Sequence, residues 1–210
     1  MTERELTIGG RGAAASADGA AALFSATLCA KHLTEPGTPL TTVLQTARLR
    51  LRHMEAGDAA FMLGLLNDPA WHRYIGDRGV RTLDAARDYI LAGPVAMVAR
   101  YGFGFYVVER EEDACPIGVC GLAQRDFLDD VDIGYAFLPQ YGGQGYALEA
   151  ARGVMAHAAA LGLRRVVATV RPDNAASIRL LEKLGLRFER SIVAPDTTRE
   201  LQLFGIDIDG

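Results

Sequence analysis

Gln140, Gly142, Gly143 and Gly145 stand together in LPQYGGQGYALEA (138–150), between an apolar run and an alanine-rich one. Glycines crowded at a strand-to-helix corner let backbone come close to a ligand, and the first N–H groups of the following helix attract an anion. One glycine would serve a tight corner alone. Three known phosphate-binding patterns compete for such a turn. The triphosphate loop G-x-x-x-x-G-K-S/T is disfavoured because no Lys-Ser/Thr pair follows. The dinucleotide pattern G-x-G-x-x-G has Leu148 where its third glycine belongs, and no βαβ repeat follows it. The third pattern, Q/R-x-x-G-x-G/A, is matched by residues 140–145.

Further residues with chemistry to offer lie on either side. In the run 131–138, strict alternation sets Asp132, Gly134 and Ala136 on one face, which leaves space beside a carboxylate. The plainer reading of Asp132 is a solvated turn carboxylate next to Asp129 and Asp130. Asn174 suits a helix cap, and Ser177 then falls in the first turn, where a serine also serves capping alone. Arg179 and Lys183, four apart, share a face of that helix, either for an anion or as an ordinary solvated surface. Trp71, His72, Arg73 and Tyr74 form the densest aromatic-polar cluster, readable as a pocket or as packing. His157, in mid-helix, reads as structural. No His, Cys, Asp and Glu set has metal-ligand spacing, so no metal is expected.

Regular elements must position these groups. TARLRLRHM (46–54) alternates Leu49 and Leu51 with Arg48, Arg50 and Arg52, as a half-buried strand does. Asp58 is placed to cap a helix through Leu66, stopped by Asn67-Asp68-Pro69. Thr82 opens a second helix through Ile90, interrupted at Gly93-Pro94. Strands follow at 102–110, 116–123 and 131–138, then a helix over 147–161 ended by Gly162. The apolar run 164–170 reads as a strand buried on both faces. Next come the short Asn174 helix, ended by Gly185, and two late strands near 188–193 and 200–206. The strand, glycine turn, helix and strand of the middle imply a right-handed parallel crossover in a mixed sheet, and hence an α+β fold.

The chain has 210 residues, half of them apolar, with a net charge of −4. That length is one domain with an extension, and that charge argues against nucleic-acid binding by bulk electrostatics. No apolar run is long enough to span a bilayer, so no membrane partner is expected. Cys29, Cys115 and Cys120 fit neither zinc pairs nor a disulfide framework and are read as reduced thiols of a cytoplasmic protein. Residues 1–45, rich in Ala, Gly, Ser and Thr, read as a flexible or loosely attached leader without a basic signal-peptide start; residues 46–210 form the domain.

With its strand before, its helix and strand after, and NAASIRLLEKLGLRF (174–188) downstream, the Gln140–Gly145 turn resembles the acyl-CoA site of the GNAT acyltransferase superfamily. TARLRLRHM, GDAA, IGDR and DIGYAFLPQY look most like its RimJ/RimL-type branch, which includes ribosomal-protein N-terminal acetyltransferases. The resemblance covers roughly residues 46–206 and implies a central sheet of about six or seven strands with flanking helices. It also implies acetyl-CoA as donor and direct attack by a primary amine, either a peptide N-terminus or a small molecule. A non-catalytic acyl-CoA-binding module is the alternative. Carried over residue by residue, the cofactor site comprises Phe137, Leu138, Gln140, Gly142, Gly143, Gln144, Gly145, Tyr146, Ala147, Asn174, Arg179 and Lys183. Asp132 stands where relatives carry an acidic residue on this strand and is the expected general base. Many relatives have a tyrosine where Leu181 stands, so Ser177 is the expected partner of the CoA sulfur. Trp71 to Tyr74 fall where relatives build the acceptor pocket, and a homodimer is suggested by relatives alone.

Overall fold

The computed structural model describes residues 41–194 and 198–208. Its strands are β1 (Thr42–Gln45), β2 (Leu49–His53), β3 (Phe105–Arg110), β4 (Pro116–Ala123), β5 (Val131–Phe137), β6 (Arg165–Val170), β7 (Arg187–Val193) and β8 (Glu200–Asp207). Its helices are α1 (Ala59–Leu66), α2 (Pro69–Tyr74), α3 (Leu83–Ile90), α4 (Ala96–Tyr101), α5 (Tyr146–Ala160) and α6 (Ala175–Lys183). The strands form one mixed sheet in the order β1-β2-β3-β4-β5-β6-β8-β7. Among the described residues that is eight strands, slightly more than expected. The pair β5–β6 is parallel and every other neighbouring pair is antiparallel.

Residues 1–40 of the expected leader lie outside the described residues. The remainder of that leader is strand: Thr42 to Gln45 pair with β2, and Val43 and Leu44 pack against the core. The helical stretch after Thr82 also differs from expectation. Thr82 caps α3 by accepting the Ala85 N–H, as its type suggests. At Gly93-Pro94, however, the chain winds into a π turn (Leu91–Val95) and continues as α4. The wider turn accommodates a proline that has no N–H to give to a regular helix. Cys120 is a buried free thiol, and Cys115 is buried as well.

Two apolar layers enclose the sheet. Leu49, Leu51, Tyr106, Ile133 and Val166 face α5 and α6, meeting Ala150, Val154 and Leu181. Val107 and Val119 face the other way, toward Phe61, Leu65 and Ile90 of α1 and α3. His157 lies on the α5 side, 3.3 Å from the Tyr106 hydroxyl, and burial lowers its pKa.

Under α1 the alternation of β2 has an unexpected outcome. Arg52, expected on a solvated face, is wholly buried. Its guanidinium donates to both Asp58 oxygens (2.7 and 2.9 Å) and to Glu109 (2.6 Å), while Arg50 takes the other Glu109 oxygen at 2.8 Å. Asp58 therefore makes no side-chain cap on α1; its carboxylate accepts from Arg52 and from the Glu55 N–H instead. Arg52 thus locks β2 and β3 to the start of α1 across the layer. Replacing it, as in Arg52→Ala, strands two buried carboxylates and should cost about 3–5 kcal/mol. Urea denaturation monitored by circular dichroism measures that loss.

Candidate active site

β5 and β6 run side by side for only two residue pairs, Val131 with Val166 and Asp132 with Val167. β5 continues to Phe137 and β6 to Val170, but the ladder does not. The two strands part like a fork, opening toward the end of β5 that leads into the glycine turn. An unpaired strand edge can take hydrogen bonds from an extended ligand.

The turn itself follows from glycine. Gly143 and Gly145 hold φ of +74° and +82°, where a side chain is strained, and Gly145 is the N-cap of α5. Residues 142–145 are all exposed, and a Cβ at Gly143 would meet nothing within 4 Å. The first N–H groups of α5 are left for a ligand because Gly145 supplies no side-chain cap. A pyrophosphate fits this cradle by charge and by space. Behind it, Glu149 in the first turn of α5 accepts from the Thr46 hydroxyl (2.6 Å), the Arg48 N–H (2.9 Å) and the Arg48 guanidinium (2.7 Å). Arg48 also donates to the Gln144 carbonyl (3.1 Å) and lies over the Tyr146 ring. Burial alone would raise the Glu149 carboxyl, but the hydrogen bonds from Thr46 and Arg48 outweigh it and lower its pKa.

Across the fork, Asn174 caps α6 by accepting the Ser177 N–H at 3.2 Å. The Tyr135 hydroxyl of β5 donates to the Ser177 carbonyl at 3.3 Å, so it spans the gap between β5 and α6. Burial pushes the Tyr135 phenol up to about 12. Arg179 and Lys183 are exposed on α6. On the opposite side of the sheet, α2 carries the aromatic-polar cluster. Trp71 is 8% exposed with its Nε1 buried and unpaired, and it packs with α1 and α3. His72 lies 3.7 Å from Asp77. Arg73 pairs at 3.2 Å with Asp173, beside the Asn174 cap, so α2 is tied to the loop that starts α6.

Asp132 is where sequence and structure differ most. The alternation holds, since β4 and β5 stay in register along the whole pair. The space does not, because Phe105 fills it: a Cβ on Gly134 would come within 2.9 Å of that ring. Asp132 is 2% exposed, neither a solvated turn carboxylate nor one facing an open pocket. One oxygen accepts the Arg125 guanidinium at 2.5 Å and the other the Thr169 N–H at 3.1 Å. Burial raises its pKa against the pull of both donors. Sequence reasoning missed Arg125 and the brace formed by Glu149 with Thr46 and Arg48, since nothing local pairs residues so far apart. It gave Tyr135 no role.

A mixed sheet forked at its one parallel pair, with a glycine-rich helix N-terminus at the mouth, defines an acyltransferase-type binding scaffold. Residues 48–187 match the Acetyltransferase (GNAT) domain family. The chain belongs to that family and is an N-acetyltransferase; such enzymes use acetyl-CoA. It is 32% identical over 155 residues to the uncharacterized protein YkkB of Bacillus subtilis, covering 72% of this chain and 88% of that one. It is 30% identical over 147 residues to the uncharacterized N-acetyltransferase YnaD of the same organism, covering 70% and 83%. Among solved structures, RimL, a ribosomal L7/L12 alpha-N-protein acetyltransferase in complex with coenzyme A, shares the fold. Its TM-score is 0.70 at 20% identity, over 80% of this chain and 99% of that one. Among the described residues no His, Cys, Asp and Glu group could hold a metal ion.

The Glu149 brace makes a pH-dependent prediction. Glu149→Ala should lower stability by about 1–3 kcal/mol at neutral pH through lost hydrogen bonds. Because the folded carboxyl titrates below its unfolded value, its contribution is full above about pH 4.3 and fades as pH falls through the folded value. Thermal melts of wild type and variant should therefore converge in acid.

Proposed function

We propose that the chain transfers the acetyl group of acetyl-CoA directly to the α-amine of a peptide or protein, both substrates being bound at once. The observation that carries this reading is the fork between β5 and β6, which opens onto the glycine cradle at the start of α5. In this reading the N–H groups at Gly143, Gly145, Tyr146 and Ala147 hold the pyrophosphate, with Gln140, Gly142 and Gln144 shaping the turn. The backbone of Phe137 and Leu138 and the side chain of Asn174 line the arm that leads to the thioester. Arg179 and Lys183 are placed on α6 for the remaining phosphate of the nucleotide. Acetyl-CoA supplies an acetyl group already activated as a thioester.

Amide formation takes one proton from the amine and returns one to the departing sulfur. The first turn of α6 serves the sulfur: Ser177 offers a hydroxyl, and the helix N-terminus favours negative charge there. The Tyr135 phenol, held protonated by its raised pKa, stands beside the same turn. An α-amine titrates near 7.7–8.0 and a lysine near 10.4, so near pH 8 a lysine costs about 3 kcal/mol to deprotonate. A site whose buried carboxylate is already engaged by Arg125 and Thr169 suits the amine that needs less help. The fold shared with RimL, named for an α-N-protein acceptor, supports the same class. Acceptor contacts are assigned to α2, with His72, Arg73 and Tyr74 at the rim and Trp71 behind them.

Calorimetry should show acetyl-CoA binding to the wild type, no binding of ATP or NAD, and loss of acetyl-CoA binding in Gly145→Val. Valine there would strain a left-handed φ and crowd the cradle. In a thiol-release screen near pH 8, peptides with free N-termini should outpace N-blocked lysine peptides, polyamines and aminoglycosides. Equal or greater turnover of the blocked peptides would reject the α-amine assignment.

A further inference from the structure

Asp132 stands at the last residue pair before β5 and β6 part. Past that pair the Thr169 N–H faces β5, where an unbroken parallel ladder would offer it a backbone carbonyl. It meets the Asp132 side chain instead: Thr169 N–H donates to Oδ1 at 3.1 Å, and Oδ2 is held by the Arg125 Nε at 2.5 Å. A carboxylate thus takes the place of the next rung. It satisfies a partly buried donor that would otherwise pull β6 back against β5 or stay unpaired, and either alternative is unfavourable. On the same face of β5 the Phe105 ring lies over Gly134.

We propose that Asp132 and Arg125 form a positioning pair that sets the opening of the fork, acting on acetyl-CoA binding and not as the base that deprotonates the amine. Arg125 fixes the carboxylate, and the carboxylate fixes the distance from β5 to β6 at Thr169. Beyond that point the edge of β5 stays free of β6 and available to the donor. Asp132 therefore reaches the reaction through the two strands and not by contact with the amine. The inference rests on the fork being the acetyl-CoA site, as proposed above.

Asp132→Asn and Arg125→Gln separate the two roles. Asn at 132 keeps an acceptor for Thr169 but loses the charge that holds Arg125. Each substitution should weaken acetyl-CoA binding, by calorimetry, about ten-fold or more. The double variant should be little worse than either single one, because both remove the same device. KM for acetyl-CoA should rise while kcat changes little, and the acidic limb of kcat against pH should persist. Arg125→Lys, which keeps a charged donor, should recover part of the binding. Amide exchange at Thr169 should quicken in Asp132→Ala while that at Val167 stays slow.

An unchanged Kd for acetyl-CoA in Asp132→Asn, with kcat reduced and the acidic limb lost, would overturn the positioning role and make Asp132 the base. If Asp132→Asn fails to fold, Arg125→Gln carries the test, since the Arg125 side chain is 33% exposed. Unaltered binding there would overturn the proposal. A wild type that binds no acetyl-CoA would instead overturn the functional reading on which the pair depends.

Discussion

The short ladder between β5 and β6 is the constraint on which the site depends. A sheet gains by pairing every rung, so strands that part after two pairs leave backbone groups to be satisfied otherwise. Here one such group, the Thr169 N–H, is met by a side chain, and Arg125 holds that side chain in place. The parallel arrangement also matters. It forces a crossover helix between the strands, and the N-terminus of that helix falls at the open end of the fork. Strand edge and helix dipole are thus brought to one place by topology, each suited to a different part of an acyl-CoA.

Two charged locks hold this geometry from the other end of the sheet. Arg52 ties β2 and β3 to the start of α1, and Glu149 ties Thr46 and Arg48 to the first turn of α5. The first is buried, where losing a partner is severe because the remaining charges cannot reach water. The second is partly exposed and works through several hydrogen bonds to one carboxylate. Both fasten a helix start, and in α5 that start carries the glycine cradle. The Arg73–Asp173 pair is more exposed and correspondingly weak.

Much of this architecture is legible in the order of the residues. Periodicity marks β2, β4, β5, β6 and α5, and capping chemistry marks Thr82 before α3 and Asn174 before α6, because those signals lie within a few residues of one another. The glycine turn is legible for the same reason: positive φ is a local demand. Asp58 looks like a cap in the sequence because its true partner, Arg52, comes from a neighbouring strand. β1 escapes notice at the end of a stretch rich in Ala, Gly, Ser and Thr, where pairing with β2 and not periodicity makes the strand.

The amino-acid sequence alone therefore determined most of the order of elements, the glycine turn and the family, all of which follow from short-range spacing. Only the tertiary structure decided what surrounds each chemical group. It placed Phe105 in the space beside Asp132, gave both oxygens of that carboxylate to Arg125 and Thr169, and brought the Tyr135 hydroxyl to the first turn of α6. The physical reason is one of range. A propensity or a cap is settled by the next few residues, whereas solvation and hydrogen-bond partners depend on strands packed from distant parts of the chain.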